Sequence, residues 1–173
     1  MIALLVALSS MAAPAQLDRL VDVAATACHG AVSNPDRVML RAVLAEEIAA
    51  GWPDALRGAI LAAACRESGY NRRARGDCKV EKGRKICRAV GLLQLWAWAK
   101  IDREDPIASA RVWARQIART VGKARRKGCS RPWITAWNWV ATGPRGWRCN
   151  RVPRHVRTMR RFHRLWRLKK QTD

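Results

Sequence analysis

The sequence holds no apolar run near the ~18–20 residues that cross a bilayer, which excludes a polytopic membrane protein. Acidic residues are scarce: 13 Asp and Glu stand against 34 Lys and Arg, a formal net charge of +21. Tyr and Phe occur once each, although Trp occurs nine times. There is no internal repeat, no long linker and no strand-like alternation of any length. No C-x-x-C pair is present, and His29, His155 and His163 do not complete zinc spacing, so no metal and no cofactor are expected. What remains is a 173-residue chain, 49% apolar, which suits one domain with a real core and excludes a wholly disordered protein.

The six Cys are many for this length, and their even number points to an oxidising compartment. The first fifteen residues, MIALLVALSSMAAPA, agree with that. Ile2 to Leu8 is a short apolar stretch and Ala13-Pro14-Ala15 a small-x-small cleavage pattern, as in a secretory signal peptide cut after Ala15. No Lys or Arg precedes the apolar run. The expected location is secreted or periplasmic.

Charge is unevenly placed. Residues 1–70 carry five Arg against seven acids, whereas residues 71–173 carry 29 Lys and Arg against six. The last 29 residues hold eleven cations and the single acid Asp173. This asymmetry predicts a polyanionic partner, with nucleic acid, anionic lipid and an acidic cell-wall polymer as candidates.

Most of the chain reads as helix, so the expected fold class is mainly α. Leu17, Leu20, Val21 and Ala24 form a 3.6-residue stripe in a first helix from Leu17 to about Ala27. Asn34-Pro35-Asp36 starts a second, with Asn34 as N-cap and Pro35 at the first helical position. Pro53 opens a third, which Gly69 ends. Residues 70–90 hold eight Lys or Arg and read as a loop or small hairpin. Leu92 to Lys100 reads as a short helix. Asp105-Pro106 opens another that runs to about Val121, followed by a basic loop over 123–131. Pro132 begins a Trp-rich helix ending near Gly143, and Pro153 opens a last helix with Val156, Met159, Phe162 and Trp166 on one side. The expected organisation is a signal peptide (1–15), one domain (16–150) and a basic C-terminal helix or tail (151–173).

The third helix carries the sharpest signal. Leu56, Ile60, Ala63 and Glu67 are spaced by four, three and four residues, which puts Glu67 on the apolar stripe. It also lies in the last turn, where the helix dipole disfavours a carboxylate. Burial would disfavour the ionised form too, so the expectation is a carboxyl group that keeps its proton. A Glu paired with Arg66, Arg72 or Arg73 is the plainer alternative.

Glu67-Ser68-Gly69-Tyr70-Asn71 is followed about twenty residues later by Gly91-Leu92-Leu93-Gln94. Together these resemble the lysozyme-like family of soluble lytic transglycosylases and goose-type lysozymes, whose catalytic helix ends in an E-S turn and is followed by G-L-M-Q. Asp105-Pro106, Ala136-Trp137-Asn138 and Thr142-Gly143-Pro144 extend the resemblance more weakly, to about residues 53–147. It implies a single disulfide-stapled, lysozyme-like domain with helices around a cleft for peptidoglycan glycan strands. Glu67 would be the general acid and then base that cleaves MurNAc-GlcNAc β-1,4 bonds. Ser68 would orient the site or substrate. Gly91 would let backbone approach sugar, and Gln94 would bind substrate or position the loop. The resemblance adds Tyr70, Leu92, Trp137 and Asn138 to the substrate-binding set.

Two departures stand out. Where the family has a Tyr near the catalytic Glu, this chain has Trp137 or Val140, neither with a hydroxyl; Tyr70 is another source of one. None of Asp77, Glu81, Asp102, Glu104 and Asp105 matches a second catalytic acid. That favours single-Glu lytic transglycosylase chemistry over goose-type hydrolysis. A nucleic-acid-binding module and an inactive wall-binding protein are the rival classes. Partners expected on the leading reading are glycan strands and, through the basic tail, an anionic polymer or lipid surface. No nucleic acid is expected, and the chain should be a monomer.

Proximity in sequence favours Cys78–Cys87 across the basic loop and Cys129–Cys149 beside the Trp-rich helix. Cys28–Cys65 is left to tie the first helix to the third. Trp96, Trp98 and Trp113 are expected in the core. One or two of Trp133, Trp137, Trp139 and Trp147 are expected to face the glycan, and Trp166 to pack the last helix down.

Overall fold

The computed structural model describes residues 14–142, 148–152 and 154–169. The stretch before Pro14 (expected as most of a signal peptide), Gly143, Pro144 and Trp147, and the side chain of Trp166, lie outside the described residues. The described chain is mostly helical, with one small sheet and three disulfides. Helices α1 (Pro14–Ala27), α2 (Arg37–Ala49) and α3 (Ala59–Ser68) come first. The hairpin β1 (Arg75–Glu81) and β2 (Arg84–Val90) follows. Helices α4 (Pro106–Arg126), α5 (Pro132–Thr142) and α6 (His155–Lys169) complete it.

The core is built around α3. Every residue from Ala59 to Cys65 is buried, and four of those seven are Ala. Such small side chains let neighbouring helices approach α3 closely on several sides. Helices α2, α6 and α1 pack against it, while α4 packs on α5 and α2. The segment expected as a basic tail is therefore part of the core in its described portion: Val156, Met159 and Phe162 of α6 are buried. A second focus is aromatic. Trp52 lies 5.7 Å from Trp113, 6.0 Å from Trp133 and 6.2 Å from Trp137, ring centroid to ring centroid. Its indole N–H donates to the Ala114 carbonyl at 3.2 Å, so the polar edge of a buried ring is satisfied.

Several boundaries differ from the expectation. Asp36, not Asn34, caps α2, accepting from the Met39 N–H at 3.0 Å. Pro53 opens a short 3-10 turn over Asp54–Leu56, and α3 starts only after Gly58, whose φ is 80°. At α4 the Asp105-Pro106 signal held: Asp105 accepts from the N–H groups of Ile107 and Ala108. That helix runs five residues past Val121, taking in part of the stretch expected as loop.

The hairpin joins its strands through Lys82-Gly83, both at positive φ, as a tight two-residue turn needs. Cys78 faces Cys87 across it and the two are bonded. The expected helix over Leu92 to Lys100 does not form. Gln94 has φ 49°, Val90 and Leu95 exchange backbone hydrogen bonds, and only Ala97–Ala99 makes a 3-10 turn. All three expected disulfides are present: Cys28–Cys65, Cys78–Cys87 and Cys129–Cys149. They fit an oxidising environment. Among the described residues no helix is long and apolar enough to cross a membrane.

Candidate functional site

The last turn of α3 and the segment 91–94 meet. The Ser68 hydroxyl lies 2.7 Å from the Leu92 carbonyl and 3.0 Å from the Ala64 carbonyl, sharing one proton between its own helix and the other segment. Two glycines flank this contact, each packed tightly against other backbone. Gly69 ends α3 at φ 58°, and a Cβ there would lie 2.0 Å from the Gly30 carbonyl oxygen. Gly91 has φ 84°, and a Cβ there would lie 1.7 Å from the Arg103 carbonyl oxygen. The close neighbour of Gly91 is thus the protein's own backbone. The Cys28–Cys65 bond anchors this end of α3 from the other side, two residues before Glu67.

Glu67 departs from its expectation. Its side chain is 38% exposed, although Ile60 and Ala63 on the same stripe are fully buried. The helix ends one turn too late for the stripe to stay covered. Its partner is none of the three nearby Arg. Glu67 Oε1 lies 2.8 Å from Nε2 of His155, at the start of α6. The imidazole is buried and stacks on Trp137, with ring centroids 5.7 Å apart and planes inclined by 19°. His155 is a residue that sequence reasoning passed over. The signal was available: it precedes Met159 by four residues and Phe162 by seven, on the buried stripe of α6.

Other members of the expected set take structural positions. Tyr70 is buried, and its hydroxyl donates to the Ala24 carbonyl at 3.2 Å. It cannot supply the hydroxyl expected beside Glu67, because that group is committed to α1. Burial also pushes its phenol well above the usual range. Trp137 is fully buried in the aromatic cluster, edge-on to Trp113, and so does not face a ligand. Asn138 and Leu92 are buried as well. Gln94 turns back on its own segment, its amide donating to the Gly91 carbonyl at 2.9 Å, which is the loop-positioning alternative.

Trp139 is buried and Trp133 partly so. Among the described residues the exposed indoles are Trp96 and Trp98, which were expected in the core. The missing helix over 92–100 explains the reversal, since the turn that replaces it carries both rings outward. Trp96 donates to the Asp77 carboxylate at 3.1 Å.

The other carboxylates near the loops are occupied. Glu104 pairs with Arg75 and Glu81 with Arg88. Asp102 accepts from the Glu104 N–H, and Asp105 caps α4. A surface groove of about 550 Å³ runs beside Tyr70, Asn71, Arg72 and Arg73, between the start of α2 and the start of α4. Glu67 is not part of its lining. Among the described residues no cluster of His, Cys, Asp or Glu could hold a metal ion.

Among the described residues the buried carboxylate is Glu47, which sequence reasoning missed. It projects from α2 to the opposite end of α3 and accepts from the N–H groups of Gly58 at 2.9 Å and Ile60 at 2.8 Å. It serves as the N-cap that the α3 sequence lacks. Burial is the largest influence on it and raises its pKa to about 7. The backbone donors and Arg57, 3.8 Å away, pull the other way. The stripe rule that singled out Glu67 applies equally here, since Leu40, Val43 and Leu44 precede Glu47 at helical spacing and are buried.

Compared with known proteins, the chain matches no family, no curated protein and no solved structure, so its resemblance to the lysozyme-like family rests on the motifs themselves.

Proposed function

We propose that the chain is a lysozyme-like, peptidoglycan-cleaving glycosidase of the single-Glu lytic transglycosylase kind, acting in the cell envelope. The observation that carries the reading is the Ser68–Leu92 hydrogen bond. Two motifs separated by more than twenty residues resemble one family, and they are in contact beside a half-exposed Glu67.

On this reading Glu67 gives its proton to the glycosidic oxygen. The bond from the muramyl C1 to that oxygen breaks, and its electron pair stays with the leaving sugar. The muramyl C6 hydroxyl then adds to C1 and returns its proton to Glu67, which closes a 1,6-anhydro ring and restores the acid. Occupation of Asp77, Glu81, Asp102, Glu104 and Asp105 in other contacts supports a one-carboxylate route. The net charge of +21 would draw the protein to an anionic wall, an attraction that weakens with salt.

Zymography on purified peptidoglycan with the wild type and Glu67→Gln tests the assignment. Clearing by the wild type alone is expected, and equal clearing by both removes Glu67 from the mechanism. Mass analysis of the released muropeptides separates the outcomes: anhydro ends mark a transglycosylase and reducing ends a hydrolase. Tight gel-shift binding of DNA without muralytic activity would favour a nucleic-acid module instead.

A further inference from the structure

The resemblance leaves a gap, since the aromatic hydroxyl expected beside the catalytic Glu is absent. Trp137 is fully buried, and Tyr70 is turned toward α1. His155 stands in the gap. It reaches Glu67 Oε1 at 2.8 Å from a ring held against Trp137. Stacking fixes the plane of the imidazole, and so the direction in which Nε2 points.

The other ring nitrogen indicates which atom carries the proton. Among the described residues, Nδ1 of His155 is buried without a hydrogen-bond partner. A proton on Nδ1 would be a buried donor with nothing to receive it. An imidazolium would carry the same unreceived Nδ1–H. The tautomer with its proton on Nε2 avoids this and leaves only a bare lone pair inside. In that form Nε2–H donates to Glu67 Oε1.

Resting on the glycosidase reading, we propose that His155 is a positioning residue for Glu67, holding Oε1 through Nε2–H so that Oε2 is the oxygen that exchanges a proton with substrate. The imidazole keeps its own proton throughout. Once Oε2 has protonated the leaving oxygen, negative charge develops on the carboxylate and the Nε2–H bond strengthens. The interaction therefore acts on the chemical step more than on binding.

The test compares His155→Phe, which keeps a ring against Trp137, with His155→Gln, which keeps an N–H near the place of Nε2. Release of soluble muropeptides from purified peptidoglycan gives kcat and KM, and thermal unfolding follows each variant. Phe should lower kcat about 10- to 100-fold at unchanged KM, less than the roughly 100- to 1,000-fold typical of removing a direct transition-state donor. Gln should recover much of that loss. Wild-type kcat in the Phe variant overturns the proposal. So does an equal loss in both variants that tracks falling stability, which marks a packing role.

A second readout needs no activity. Imidazole 15N NMR of the wild type should show a protonated Nε2 that responds to Glu67→Gln, and a bare Nδ1. A proton on Nδ1 overturns the tautomer and with it the role. Failure of the underlying reading looks different: there the wild type releases nothing, or Glu67→Gln retains full activity, and the positioning role falls with it.

Discussion

A glutamate stands at each end of α3, Glu47 reaching in from α2 and Glu67 from α3 itself, and the two are used in opposite ways. At the N-terminal end, where the helix favours negative charge, Glu47 is fully buried and bonded to two backbone N–H groups. At the C-terminal end, where negative charge is disfavoured, Glu67 is half-exposed and bonded to one imidazole. Glu47 has no unshielded face for a ligand, so its chemistry is spent on the fold. Glu67 keeps exposed surface next to the contact between Ser68 and Leu92. A buried acid is therefore the structural one here, and the accessible acid the functional candidate.

The comparison breaks most sharply if the roles can be exchanged by mutation. Glu67→Gln should abolish muropeptide release, by at least about 100-fold, the scale expected for losing a general acid. The unfolding midpoint should move little, because a partly exposed carboxylate with a single side-chain partner holds little of the fold together. A large loss of stability in this variant would make Glu67 a second structural acid and erase the contrast.

The converse substitution, Glu47→Ala, should cost about 3–5 kcal/mol, the scale for breaking a buried charged group away from its partners. It leaves the Gly58 and Ile60 N–H groups without their acceptor and removes the carboxylate facing Arg57, whose guanidinium still pairs with Asp54. Urea unfolding checks this, and a cost below about 1 kcal/mol would show that water replaces the cap without penalty.

How far the sequence anticipated this contrast depends on what each signal measured. Asp105-Pro106 was legible because capping is local: a side chain two or three residues away satisfies the N–H groups. The cysteine pairs were legible because short separations left few arrangements. The hairpin was one of two readings left open for residues 70–90, because no residue of Arg75–Glu81 is fully buried and its partial alternation carries few apolar side chains. Residues 92–100 looked helical from composition, yet Gly91 and Gln94 turn the chain at positive φ. Glu67 lies in the last turn of α3 as expected, but the stripe leaves the core before reaching it, and Leu56 belongs to a separate turn before the helix. The partner of Glu67 was hidden because it comes from α6, 88 residues along the chain.

The disulfide at the Glu67 end sharpens the comparison from another side. Replacing Cys28 and Cys65 together with Ala should destabilise the protein by about 2–4 kcal/mol, the usual scale for a cross-link of this kind. The bond joins the end of α1 to the last turns of α3, far along the helix from Glu47. The pH response assigned to Glu47 should therefore survive in this variant. Its disappearance would mean that the two ends of α3 unfold as one unit with no separable character.

That pH response is the finest test. Glu47 titrates near 7 in the folded protein, against an ordinary value of 4.5. Between those values the folded state binds more protons than the unfolded chain, so stability must fall as pH rises. Its contribution is fully present below about pH 4.5 and lost as pH passes through about 7. A shift of this size corresponds to a change of roughly 2–3 kcal/mol across the window. Urea unfolding at intervals from pH 4.5 to 7.5 measures it, with Glu47→Gln as the control that cannot titrate. The Gln variant should lose this slope while retaining one acceptor for the start of α3. The same slope in both proteins would assign the proton to another group and place the charge of Glu47 permanently inside the core, where Arg57 and two backbone donors would have to hold it.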